Sequence, residues 1–236
     1  MTRLLAISLT ISAFFHPLHA AELKILAWDD EVASMKLAIN DSKGSTPIET
    51  MHPAKRSKTY KVTAGEVGIS ILTLDKKDET GKPIASAIQI PPGTNKPLLL
   101  LLPDEKSLSG LRLLVIEDAT GKFPWGSFQF INASNRKMHF VFGKQGVSLP
   151  ASWKPVIVKP SGGNRSDQTH LYFFDQPKRP IYSAVWERKE DVRILIFIIP
   201  SDDPRLGPVA MKMITEDRRV LAAQAQAEKA PGANSE

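Results

Sequence analysis

Residues 82–103 read KPIASAIQIPPGTNKPLLLLLP, and residues 179–200 read RPIYSAVWERKEDVRILIFIIP. A constant offset of 97 superimposes the two stretches without a gap. Six of the 22 positions are identical: Pro83/Pro180, Ile84/Ile181, Ser86/Ser183, Ala87/Ala184, Leu98/Leu195 and Pro103/Pro200. Others keep their character, such as Lys82/Arg179 and the apolar runs 98–102 and 195–199. A repeat of this kind marks a duplicated folding unit, and it has to be placed before any single element is read. A unit of roughly 100 residues is long enough to bury a core of its own.

Within each copy the chain falls into short runs separated by Gly, Pro, Asp and Asn. Residues 22–28, 35–39, 59–63, 68–74, 84–90, 98–102 and 111–116 read as strands in the first copy. Residues 127–132, 137–142, 154–159, 169–174, 181–187, 192–199 and 208–214 do so in the second. Met35, Leu37 and Ile39 alternate with Lys36, Ala38 and Asn40, the period-two pattern of a half-buried strand. The run 98–102 is continuously apolar and too short for a helix, which suits a strand buried on both faces. Asp29-Asp30 reads as a turn and residues 40–45 as a loop.

Seven short strands per unit predict an all-β chain: two tandem immunoglobulin-like β-sandwich units arising from an internal duplication. The units span residues 22–118 and 123–217, joined by residues 119–122. The chain has no Cys, which excludes the disulfide-linked antibody type. Each copy carries a complete set of strands, so two separate sandwiches are expected rather than one assembled from both halves. Residues 218–236 favour a helix through Lys229 but offer little to pin it, and are read as a mobile tail.

The first 20 residues, MTRLLAISLTISAFFHPLHA, place Arg3 before an apolar run and end on a small residue. That is the pattern of a secretory signal peptide, so the mature chain is expected to be periplasmic or secreted, with no transmembrane span after signal removal. Without Cys there is no lipoprotein anchor and no thiolate chemistry. The formal charge of +6 comes from 31 basic and 25 acidic residues that are interspersed along the chain. No basic arm suited to nucleic acid appears. The densest basic cluster, Lys55, Arg56, Lys58 and Lys61, reads as a solvated loop.

Reactive constellations are sparse. His52, His139 and His170 have no metal-ligand spacing, and neither a metal nor any other cofactor is expected. No serine sits in a GxSxG elbow. The acidic groups at Asp29-Asp30-Glu31, at Asp75, Asp78 and Glu79, and at Asp202-Asp203 read as turn residues rather than calcium ligands. The Gly-rich stretch 161–167 lacks the GK[ST] ending of a phosphate loop. It is either a connecting loop or a ligand contact made through backbone amides and Arg165. Tyr182 and Trp186 lie four apart on one strand face, and the offset of 97 sets them against Ala85 and Gln89. Two readings follow: an exposed aromatic strip suited to a sugar or a partner, or a pair packed under a loop or against the first unit.

Residues 123–132, FPWGSFQFIN, followed by a strand ending in Phe142-Gly143, resemble a motif of uncharacterised secreted bacterial β-sandwich proteins. The resemblance covers about 20 residues and implies a secreted β-fold but no activity. The two-unit layout is also similar to that of periplasmic pilus chaperones, without a stretch that matches their motifs. The expected function is a non-enzymatic binding or structural protein of the cell envelope, with a protein or a glycan as partner. Tyr182, Trp186 and Arg165 are the candidate contacts. The alternative is a periplasmic chaperone-like assembly factor acting by strand addition, and a hydrolase stands third.

Overall fold

The computed structural model describes residues 20–65, 68–201, 203, 205 and 207–227. The predicted leader lies outside them except for Ala20, and so does the tail beyond residue 227. Unit 1 holds β1 (Ala20–Ala27), β2 (Leu37–Asp41), β3 (Gly44–Pro47), β4 (Tyr60–Thr63), β5 (Ile69–Lys77), β6 (Pro83–Ile88), β7 (Pro97–Pro103) and β8 (Leu111–Glu117). Unit 2 holds β9 (Phe128–Asn132), β10 (Met138–Phe142), β11 (Gln145–Leu149), β12 (Ser152–Val158), β13 (Arg165–Phe173), β14 (Pro180–Arg188), β15 (Val192–Pro200) and β16 (Val209–Asp217). A short helix α1 (Asp30–Ser34) follows β1, and α2 (Arg218–Ala227) follows β16. No described helix is long and apolar enough to cross a membrane.

Each unit is a sandwich of two four-stranded sheets: β4-β1-β7-β8 on β3-β2-β5-β6, and β12-β9-β15-β16 on β11-β10-β13-β14. In both, one parallel pair (β1 with β7, β9 with β15) sits among antiparallel neighbours. The duplication is thus realised strand for strand. Pro83 and Pro180 open β6 and β14, and Pro103 and Pro200 close β7 and β15. Proline is tolerated at such strand ends because the missing N–H interrupts no central ladder.

Eight strands per unit stand where seven are expected. The additional ones, β3 and β11, occupy the same place in both units. Each is a short outer edge joined to the preceding strand by a two-residue turn at Ser42-Lys43 and Gly143-Lys144. The Asp29-Asp30 turn is the start of α1, with Asp29 as N-cap: its carboxylate accepts from the Val32 N–H at 2.8 Å. The candidate tail begins as α2, which buries no residue.

Three apolar layers alternate with the four sheets. Leu23, Ile25, Leu99 and Leu101 fill unit 1 with Ile39 and Ile71. Phe128, Phe130, Ile196 and Ile198 fill unit 2 with Phe140 and Leu171. The middle layer lies between the units and is built from Leu26, Leu98, Leu100, Leu102, Ile116, Phe123, Ile131, Leu195, Phe197 and Ile214. Side chains alternate across a strand, so β7 and β15 give one face to their own sandwich and the other to the second unit. That is why runs 98–102 and 195–198 are apolar throughout and wholly buried.

The FPWGSFQFIN stretch forms the entry to unit 2. Phe123 is buried between the units, and Trp125 lies 5.0 Å from the Arg193 guanidinium. Gly126 is at φ +75°, and a Cβ there would fall 2.5 Å from Arg188 Nη2. The Asn132 amide donates to the Arg136 and Leu149 carbonyls, and its oxygen accepts from the Ser134 N–H. These contacts give Phe123, Gly126 and Asn132 structural roles at the start of unit 2.

Candidate functional site

Tyr182 and Trp186 point into unit 2. Trp186 packs on Phe128, Phe130 and Phe140 with ring centroids 5.3–6.3 Å away, and its Nε1 donates to Tyr182 Oη at 3.0 Å. The exposed-strip reading fails here for a reason of register. Ile71 lies opposite Ser86 in the unit 1 ladder, and its counterpart Leu171 lies opposite Tyr182, with a bulge at Ile181. With Ile71 and Leu171 equivalent, the offset on this strand is 96 and not 97, and a one-residue slip exchanges the two faces. Ser86 is therefore the counterpart of Tyr182, and the outward-facing Ala85 and Gln89 are not.

Arg165 is tied down locally. Its Nη1 donates to the Ser161 carbonyl at 2.7 Å, and its Nε lies 2.7 Å from Asp167 Oδ2 as an ion pair without an aligned hydrogen bond. The Gly-rich loop is held by a residue that sequence reading passed over: buried Arg188 donates to the Gly126, Gly162 and Gly163 carbonyls. The loop carbonyls thus face an internal guanidinium, the arrangement of a connecting loop.

The cluster read as a solvated basic loop is corrected at Arg56, whose side chain is 2% exposed. Arg56 Nε and Nη2 donate to the two oxygens of Asp118 at 3.0 and 2.9 Å. Arg193 donates from Nε to Glu216 at 2.8 Å, from Nη2 to Asp118 Oδ2 at 3.0 Å, and from Nη1 to the Asp118 and Phe123 carbonyls. Arg56 Nη1 stands 3.5 Å from Glu216 Oε2, a Coulomb contact rather than a hydrogen bond, and Lys24 Nζ stands 3.7 Å from Oε1. Burial pushes the Glu216 carboxyl up, but Arg56, Arg193 and Lys24 together bring it below its ordinary value. Asp118 and Glu216 stand at equivalent ladder positions, two residues beyond Ile116 and Ile214. Both converge on one pair of arginines, and the cluster is a lock between the units.

A further set of side chains free for contact lies on the outer face of unit 2. Met138, Phe140, Leu171 and Phe173 point into the core, so His139, Val141, His170 and Tyr172 point away from it. The rings of His170 and Tyr172 are 6.0 Å apart, and His170 Nδ1 lies 3.0 Å from Ser183 Oγ. Phe174, 50% exposed, extends the row, with Lys137 Nζ 3.6 Å from its ring centre. Val185, 68% exposed, borders it on β14. The His139 ring lies across Gly146, where a Cβ would come within 2.8 Å of Nε2.

The same ladder positions in unit 1 carry other residues. Thr73 opposite Leu37 matches Phe173 opposite Met138, so Ala38, Ser70 and Leu72 correspond to His139, His170 and Tyr172. Sequence reading missed this face because it compared side chains between the copies only over residues 82–103 and 179–200. The ladders set an offset of 100 on β5 and β13. A sheet face of rings, hydroxyls and aliphatic carbons can stack on a flat partner and exchange hydrogen bonds with it.

Two clefts flank the junction of the units. One, of about 200 Å³, is lined by Lys24, Lys96, Trp125 and Arg193 among others. The other, of about 390 Å³, lies between residues 92–94 of unit 1 and Gln129, Pro155 and Ile157 of unit 2. Among the described residues no group of His, Asp and Glu is arranged to hold a metal ion. No protein-family model matches the chain, and no curated protein is similar to it in sequence.

Proposed function

We propose that this chain is an exported, non-enzymatic binding protein of the cell envelope, and that unit 2 makes contact with a protein or glycan through the outer face of β10, β13 and β14. The observation that carries the reading is the divergence of two copies of one fold at matched positions. Unit 1 has Ala38, Ser70 and Leu72 where unit 2 has His139, His170 and Tyr172. Core packing explains neither imidazole nor the phenol, because all three point away from the core. Large amphipathic rings on a rigid face are the usual anchors of recognition surfaces. The leader at residues 1–20 supports export.

The test exploits the duplication. The double variant His170→Ser, Tyr172→Leu installs the residues that unit 1 carries at the same sites, so the fold is expected to persist. Retention of the mature protein on an insoluble envelope fraction should fall at least tenfold. Unchanged retention with an intact fold rejects the face as the contact surface.

A chaperone-like assembly factor is favoured by one observation: β14 is nine residues long and pairs on one side only. Such an edge can accept a client strand. The hydrolase reading rests on the His170–Ser183 pair alone, and a base needs a third group to orient it. Among the described residues no acid side chain is hydrogen-bonded to His170.

A further inference from the structure

Strand β14 ends the outer sheet of unit 2 and pairs with β13 alone. The Gly143 N–H donates to the Gln168 carbonyl, so Gln168 turns its backbone toward β10. Where one member of an antiparallel pair turns its N–H and C=O away from the other, its opposite does the same. Gln168 lies opposite Val185, so Val185, and with it Ser183 and Glu187, points its backbone groups to the open edge. All three residues are exposed, and among the described residues no other segment bonds to these groups. Such an edge invites a further strand unless it is blunted. β3, β4 and β11 have only four or five residues, β12 carries Pro155 and a register shift, and β8 and β16 carry Arg112 and Lys212. In unit 1, β6 stops after six residues. The offset of 96 sets Pro91-Pro92, which lack an N–H, against Glu187-Arg188 of unit 2. One copy closes this edge and the other extends it.

The edge is its own complement. A two-fold axis through Val185 lays a second β14 antiparallel to the first. Val185 then meets Val185 of the second copy, Ser183 meets Glu187, and each such pair exchanges both of its backbone hydrogen bonds. Val185, exposed in the single chain, gains an apolar neighbour. On the inner face Ala184 meets Trp186, small against large. No like charges stand opposite each other from 181 to 189 in this register. An axis at Ala184 would oppose Arg179 to Lys189, and one at Trp186 would oppose Val185 to the Glu187 carboxylate. The sheet that carries β14 is turned away from unit 1, which leaves room for the second molecule. We propose that this protein dimerises through β14 with a second copy of itself, β10-β13-β14 being continued by β14-β13-β10 across the axis. On the reading of the outer face as the contact surface, the dimer sets two such faces side by side on one sheet and binds a repeating partner with avidity.

The chain has no Cys, so Val185→Cys introduces a single thiol, placed at the axis. Opposed Cα atoms of a hydrogen-bonded pair stand about 5.5 Å apart, within reach of a disulfide. Under mild oxidation the mature Val185→Cys protein should form a disulfide-linked dimer at least tenfold faster than Gln168→Cys, an exposed site on the same face one strand in. Sedimentation of the unaltered protein from about 1 μM to 1 mM should show a monomer–dimer equilibrium. Val185→Lys sets two ammonium groups across the axis, and Glu187→Pro removes an N–H that faces the edge, as the proline of unit 1 does. Each should weaken dimerisation at least tenfold with the circular dichroism spectrum unchanged. Val185 is exposed, so its replacement preserves the fold even if the proline does not. An unaltered protein that stays monomeric, a dimer that persists in Val185→Lys, or equal cross-linking of the two Cys variants overturns the proposal. The first of these outcomes would leave the edge to a client strand. Envelope retention is read on His170 and Tyr172, so loss of the dimer with retention intact, or the reverse, separates failure of this inference from failure of the outer-face reading.

Discussion

Arg193 makes four hydrogen bonds: two to carboxylate oxygens of Glu216 and Asp118, and two to the backbone carbonyls that flank the linker. Its Nη2 also stands 2.5 Å from Glu216 Oε2 as an ion pair. Removing one member of a buried ion cluster leaves its partners charged and unpaired, at a cost of about 3–5 kcal/mol. Arg193→Ala should therefore destabilise the protein by about that amount in denaturant titration. Arg193→Lys should recover little, because an ammonium cannot reproduce the planar fork. A loss under 1 kcal/mol would mean the cluster is not a lock. Glu216 adds a pH signature. Its folded carboxyl lies below the ordinary 4.5, so its contribution is complete above that value and is lost as pH falls below it through the folded value. The melting temperature should drop on the acid side of pH 4.5, and more shallowly in Glu216→Gln. Asp217, held at about 2 by Arg219, contributes the same sign in both proteins and does not confuse the comparison.

Strand β14 shows how far an element can be read from its letters. Alternation located it, and the repeat named its partner, but the ladder equates the copies at an offset of 96, which exchanges the faces. The β13–β14 hairpin is four residues shorter than the β5–β6 hairpin, 11 positions from Leu171 to Tyr182 against 15 from Ile71 to Ser86, and a sequence in isolation does not show how that difference falls across the two strands. Tyr182→Ala with Trp186→Gln is accordingly expected to unfold unit 2. The Trp186 ring fills space among three phenylalanines, and its loss costs about 3 kcal/mol. A double variant that melts like the wild type would restore the exposed-strip reading. Strands β3 and β11 escaped reading for another reason. GSTP is exposed at every position and QGVSL at most of them, so neither has an apolar alternation to find. The central strands were legible because burial dictates their composition. The outer face of unit 2 was legible only as parity on β10 and β13, once the correct offset between copies is used. Arg56 and Arg193 were not legible, since charge patterning along a chain does not reveal pairing across 75 positions.

At the scale of the molecule, the face each unit offers the other is the same face. Leu26 and Ile131, Leu98 and Leu195, Leu100 and Phe197, and Ile116 and Ile214 are equivalent ladder pairs, and all eight lie in the middle layer. Self-complementary use of one patch is the mark of a two-fold dimer interface, here closed within one chain by residues 119–122. Linked domains move relative to one another unless their interface is large and apolar, and this one is a fully buried apolar layer with a charged lock at its edge. Two consequences can be measured. Leu100→Ala or Phe197→Ala should cost about 2–5 kcal/mol and lower one cooperative transition, because the lost contact belongs to both units. The sharper test cuts the connection. Residues 120–122 are exposed, so a protease site placed there should be cleaved in the folded state. The two fragments should then elute together in size-exclusion chromatography at micromolar concentration. They should separate only when Leu100→Ala and Arg193→Ala are combined, since one removes apolar contact and the other unpairs the lock. Fragments of the otherwise unaltered chain that part on cleavage, each melting independently, would show that the linker and not the middle layer keeps the units together.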